Sequence, residues 1–107
     1  MIHPAFTPPK KVNVYVEETF DIYGLGPGKP ATFYMFGGPV ATRFRVYTFF
    51  AEPYHQEHPN PHVEVSHVWL EEEPNGDRRL WATVQNLGPN PVDFQVYLMF
   101  TDSLLVP

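Results

Sequence analysis

A chain of 107 residues holds one domain, with room to bury roughly 60–70% of its unfolded surface around a single core and none for a second. Twelve acidic against seven basic side chains give a formal net charge of −5, which disfavours nonspecific nucleic-acid binding because that rests on clustered Lys and Arg. Cysteine is absent, so no disulfide staples the fold and no thiolate holds zinc.

Residues 1–10 carry Pro4, Pro8 and Pro9 and run into Lys10 and Lys11, which predicts an extended Pro-rich arm, frayed or laid on a neighbour. This beginning lacks the apolar segment and cleavage site of a secretory signal, and no later run approaches a membrane span. The expectation is a protein made in the cytoplasm with no membrane partner, reaching the outside, if at all, by lysis as a virion part does or by a route that reads no N-terminal signal.

Residues 11–107 form the predicted domain. Val12, Val14 and Val16 alternate with Asn13, Tyr15 and Glu17, predicting a first strand with the valines on its core face. Glu17 to Pro30, with its GLGPGKP stretch, reads as a loop. Thr32 to Phe36 reads as a short aromatic strand stopped by Gly37, Gly38 and Pro39. Ala41 to Phe50 follows, with Phe44, Val46, Thr48 and Phe50 assigned to the core and Arg43, Arg45, Tyr47 and Phe49 to the reverse face. A polar, proline-rich connection over residues 51–62 leads to a strand from Val63 to Glu71, and Pro74, Asn75 and Gly76 mark the next turn.

Arg79 to Thr101 carries the strongest pattern, two alternating apolar runs around a loop of Asn, Gly and Pro, which reads as a hairpin with one buried face. Leu80, Ala82 and Val84 would share that face with Val92, Phe94, Val96, Leu98 and Phe100. Nothing shows a sustained 3.6-residue period, so almost no helix is expected. Six strands with one apolar face each need two packed sheets or a barrel, and their uneven lengths and loops favour an all-β sandwich.

The stretch LWATVQNLGPNPVDFQVYLMFTD, from Leu80 to Asp102, resembles the later strands of bacterial immunoglobulin-like domains, especially CARDB-like adhesion modules, through Leu80, Ala82, Val84, Asn86, Gly88, Val96 and Leu98. The resemblance implies a single immunoglobulin-like antiparallel β-sandwich and a binding or spacer role without catalytic residues. Such modules normally sit within larger exported proteins, whereas this chain is expected to stand alone.

His55, His58 and His62, with Glu57, Glu64 and His67 nearby, are the weak metal candidates, because imidazole and carboxylate are proper ligands for a divalent ion. The spacing lacks HExxH and the cupin signature, so a solvated loop is the favoured reading and no metal or other cofactor is expected. Glu71, Glu72, Glu73 and Asp77 have ligands for calcium but no calcium-loop spacing; a soluble turn partly neutralised by Arg78 and Arg79 is the simpler reading. GLGPGKP lacks the Ser or Thr and the helix of a phosphate loop, and no triad or nucleophile elbow appears, so no enzyme is expected.

The reverse faces assemble Tyr15, Arg43, Arg45, Tyr47, Phe49, Trp81, Tyr97 and Met99, residue types enriched at protein interfaces. They point to a non-enzymatic structural or interaction protein that forms homo-oligomers or joins a larger assembly, such as a phage head or tail. The competing reading of these side chains is burial within the monomer under loops and the arm. The alternative function is a carbohydrate-binding module with Trp81, Tyr47 and Tyr97 stacking on a sugar, and the third is a small metal-dependent enzyme at the histidine loop.

Overall fold

The computed structural model describes residue 9 and residues 11–38, 45–54 and 60–104. The arm over residues 1–10 lies outside them except for Pro9, as do Arg43, Phe44, His55, Glu57 and His58. Six strands occur in chain order: β1 (Val14–Leu25), β2 (Pro30–Gly38), β3 (Tyr47–Pro53), β4 (Val63–Glu72), β5 (Arg78–Asn86) and β6 (Val92–Thr101). They make two three-stranded antiparallel sheets packed as a β-sandwich, β1-β6-β3 (sheet A) and β2-β5-β4 (sheet B). The described residues contain no helix.

The two most regular apolar runs became the central strand of each sheet. Leu80, Ala82 and Val84 on β5 and Val92, Phe94, Val96 and Leu98 on β6 are buried, and Phe49 and Ala51 complete the innermost core. Phe33 of sheet B packs edge-to-face on both Phe20 and Phe49 of sheet A, at 4.7 Å and 5.4 Å between ring centroids, so three rings join the layers.

Three sequence expectations need correction. β5 and β6 are not a hairpin: β5 pairs with β2 and β4, and β6 with β1 and β3. The chain crosses between sheets over residues 87–91, and both runs bury because their apolar faces oppose each other. Alternation reports which side of a strand is buried, and it is the same for two paired strands as for two facing ones. Asn86 holds the crossing. Fully buried, its amide donates to the carbonyls of Leu25 and Asn90, each at 2.8 Å, and its side-chain oxygen accepts from the Gly88 N–H at 2.8 Å. Its backbone bonds to Gly28 and Lys29, which ties this crossing to the β1–β2 turn. Gly88 is tightly enclosed, since an added Cβ would lie 3.2 Å from the His62 nitrogen and 3.3 Å from the Asn60 carbonyl, closer than ordinary contact.

The second correction concerns β1, which runs on to Leu25 through residues expected to be loop, leaving only a tight turn before β2. An irregularity between Glu18 and Phe20 shifts the register, and the Thr19 hydroxyl there donates to the Val96 carbonyl at 2.6 Å. An extra residue exchanges the faces of the strand beyond it. Phe20, Ile22 and Leu25 therefore pack on the core, while Val14 and Val16, assigned to it from sequence, are 58% and 61% exposed on the other side.

The third is the parity of β3. Tyr47, Phe49 and Ala51 point inward, and Val46 and Phe50 point out, the reverse of the expected faces. Consecutive phenylalanines make either phase apolar, and pairing of Phe49 with Leu98 and of Ala51 with Val96 selects the one that fits the core. Phe49 is 5% exposed and Phe50 55%.

Candidate functional site

The interface candidates do not share a face. Tyr15 and Tyr47 lie on the inner side of sheet A at the end where β6 finishes, both opposite Phe100 in register. Their rings stack on Phe100 with centroids at 5.3 Å and 6.3 Å, and the Arg45 guanidinium sits 6.0 Å from that ring. The Tyr15 hydroxyl donates to Asp102 at 2.8 Å and the Asn13 N–H donates to the other carboxylate oxygen at 3.1 Å, contacts that hold the Asp102 carboxyl below its ordinary 3.8. Tyr15, Arg45 and Tyr47 thus close an end of the sandwich, and Phe49 belongs to its core. Strand parity, reversed by the irregularity in β1 and by the choice of phase in β3, accounts for these reassignments.

Trp81 stands on the outer side of sheet B, directly between Tyr34 on β2 and Trp69 on β4. Trp69 and Trp81 are parallel within 3° at 5.7 Å, and Tyr34 lies 4.8 Å from Trp81 on its other flank. Glu71 accepts from both indole N–H groups, at 3.3 Å and 3.1 Å, and the Arg79 guanidinium lies 5.1 Å from the Tyr34 ring. Trp69 stacks on Trp81 and Tyr34 tilts against it at 46° as cross-strand partners, an arrangement that stabilises the sheet itself. Of the three residues once grouped as a sugar platform, Trp81 is on sheet B, Tyr47 is inside the end closure, and Tyr97 is on the far side of sheet A.

Tyr97 and Met99 do share a surface, the outer side of sheet A. In register across it run Val14 with Thr101, Val16 with Met99 and Thr48, Glu18 with Tyr97 and Phe50, and Asp21 with Gln95 and Glu52. The half toward Thr101 is apolar: Val14, Val16, Val46 and Phe50 are each more than half exposed, around Met99 and Tyr97. No described strand or loop forms a layer over it. The half toward the crossing changes chemistry to carboxylates and tyrosines. Asp21 accepts from the Tyr54 hydroxyl in a short hydrogen bond and from the Tyr23 hydroxyl at 3.3 Å, and the Tyr97 hydroxyl donates to Gln95 at 3.0 Å. Glu52, Pro53, Tyr54, Gln95 and Tyr97 line a pocket of about 300 Å³ there.

These surroundings raise the phenols above their ordinary 10.0. The hydrogen bond to Asp21, followed by desolvation and the charge of Asp21, pushes Tyr54 up to about 12. The charge of Asp21 raises Tyr23, and desolvation followed by the charge of Glu52 raises Tyr97.

His62 meets Glu64 at 3.3 Å with both side chains 54% exposed, and His67 contacts the Ser66 hydroxyl at 3.2 Å on sheet B. Among the described residues no three His, Asp or Glu side chains are gathered to hold a metal. In the acidic turn, Glu71 is engaged by the tryptophans, Glu73 pairs with Arg79 at 3.4 Å and Asp77 accepts from Asn75 at 3.1 Å. These carboxylates already have protein partners.

Sequence reasoning missed Phe50, Val14 and Val16 as surface residues and gave no role to Asp21, Tyr23, Glu52 or Tyr54. Continuing β3 to Pro53 would have exposed the pattern, since Glu52 shares the phase of Phe50 while Ala51 shares that of Phe49. Compared with known proteins, the chain matches no family model, no curated protein and no solved structure.

Proposed function

We propose that this protein is a non-enzymatic structural domain that associates with copies of itself through the outer side of sheet A. The observation that carries the reading is the cluster of Val14, Val16, Val46 and Phe50, each more than half exposed and brought side by side by strand register around Met99. A contiguous apolar patch is the ordinary mark of a contact surface, whereas singly scattered apolar residues are not. Tyr97 and Met99 keep the interface role given them by sequence, and Tyr15, Arg45, Tyr47 and Phe49 give it up to the fold. Pairing about a two-fold axis through the patch would bury it against its own copy and leave the acidic halves projecting beyond the contact at opposite ends.

An immunoglobulin-like topology and a place in a larger assembly such as a virion head or tail extend this proposal; the sandwich and its unpaired face support them. Mass measured in solution tests the reading, with Val16→Asp and Phe50→Ser expected to shift the protein to monomer while its circular dichroism stays unchanged. Carbohydrate binding is the second reading, favoured by the Tyr34, Trp81 and Trp69 row on sheet B. Unchanged tryptophan fluorescence across a glycan panel would remove it.

A further inference from the structure

We propose that the turn between β4 and β5 is a site of covalent self-modification, in which Asn75 exchanges its side-chain amide for a carboxylate through a cyclic imide closed by the backbone nitrogen of Gly76. The site is independent of the role given to sheet A.

Asparagine is chemically labile where the next backbone nitrogen can reach its side-chain carbonyl carbon. The chain has five asparagines, and sequence and structure together leave one in that position. Asn60 and Asn90 precede Pro61 and Pro91, whose nitrogens carry no proton to lose. Asn86 is fully buried with its amide held by three hydrogen bonds, and the nitrogen that would attack it, that of Leu87, donates to the His62 carbonyl at 2.8 Å. Asn13 is followed by Val14, whose branched side chain crowds the approach. Asn75 is exposed and followed by Gly76, which has nothing within 4 Å of where a Cβ would stand.

The turn itself prepares the reacting carbonyl. The Asp77 N–H donates to Asn75 Oδ1 at 3.0 Å, so a donor already stands at the oxygen on which negative charge develops when Cγ becomes tetrahedral. The Asn75 amide donates to the Asp77 carboxylate at 3.1 Å, which holds the side chain against the turn. One contact opposes the reaction: the Gly76 N–H donates to the Glu73 carbonyl at 2.9 Å, and that bond opens before the ring closes. The Gly76 nitrogen, its proton passed to solvent, then bonds to Asn75 Cγ; the Cγ–Nδ2 bond breaks and ammonia leaves with a proton taken from solvent. Water opens the imide at either carbonyl. Addition at Cγ leaves aspartate in the ordinary chain, and addition at the main-chain carbonyl leaves isoaspartate, with the chain rerouted through Cβ and Cγ. The balance is one water consumed and one ammonia released, with no change of oxidation state.

Either product adds a negative charge to a chain whose formal net charge is −5. Isoaspartate also lengthens the main chain by one carbon inside the turn that the Glu73 N–H closes on the Asp77 carbonyl at 2.7 Å, beside the ion pair of Glu73 with Arg79. That product loosens this end of sheet B, whereas aspartate keeps the turn.

The test is incubation of the full chain in mildly alkaline buffer, followed by intact mass, ion exchange and peptide mapping, beside Asn75→Gln, whose side chain is one carbon too long for the five-membered ring. The expected result is a rise of about 1 Da confined to the peptide that carries Asn75, split between an aspartate and an isoaspartate product and absent from the variant. Circular dichroism checks that the variant is folded. A rise that maps to another asparagine, or that persists in Asn75→Gln, would overturn the proposal. So would an unchanged mass in the folded chain at a time when a free peptide of residues 72–78 has converted completely, because the bond from Gly76 to Glu73 would then keep the site closed.

Discussion

Asn86 shows how one polar side chain can determine a connection between two layers. It is the sole buried polar residue named within the described core, and its three side-chain hydrogen bonds join β1, the crossing and β5. Replacing it by Ala leaves the half-buried carbonyls of Leu25 and Asn90 and the buried Gly88 N–H without that partner. Asn86→Ala is expected to lose about 2–4 kcal/mol in chemical denaturation, well beyond the cost of an ordinary surface change. A loss within about 0.5 kcal/mol would mean that water replaces the amide and that the crossing is held by other contacts. At the same scale, Tyr54 has its folded pKa raised from 10.0 to about 12, so its contribution to stability is complete below 10.0 and disappears as pH rises through about 12. Phenolate absorbance should show the Tyr54 step above its ordinary 10.0, and Asp21→Asn should move that step down toward the ordinary value. A step that stays in place in the variant would remove Asp21 as its cause.

The strands show what pattern can and cannot say. The inward sets of β5 and β6 were legible residue by residue, because strict alternation leaves only one apolar side. Their pairing was not, since opposed strands in two sheets and neighbours in one sheet carry the same alternation. β1 and β3 failed for different reasons: an inserted residue exchanges faces without any mark in composition, and two adjacent phenylalanines satisfy either phase. The interface candidates inherited those errors, while Tyr97 and Met99, on the regular β6, were placed correctly on an outer side. Adjacent Phe49 and Phe50 provide the sharpest check. Phe49→Ser should cost about 3–5 kcal/mol or more, as loss of a buried aromatic does, and Phe50→Ser should stay within about 0.5 kcal/mol. Equal losses in thermal or chemical denaturation would contradict the assigned phase.

For the whole molecule, the two outer sides differ in chemistry. The outer side of sheet B carries an aromatic row tied to Glu71 in which Tyr34 and Trp69 stay 43% and 37% exposed, whereas sheet A leaves an apolar half and an acidic half exposed side by side. No disulfide supplements the core, so stability rests on packing of central strands and on the crossing around Asn86. Surface changes on sheet A should therefore alter association without altering the fold, which separates function from stability in the same set of variants.

The most direct measurement is the absolute mass of the full chain by light scattering across a concentration range, beside Phe50→Ser at equal concentrations. The expected result is a concentration-dependent rise to a dimer or a larger assembly for the natural sequence, abolished in the variant. A natural sequence that remains monomeric at high concentration, or a variant that associates equally well, would contradict the assignment of sheet A as the surface through which this protein meets its own copies.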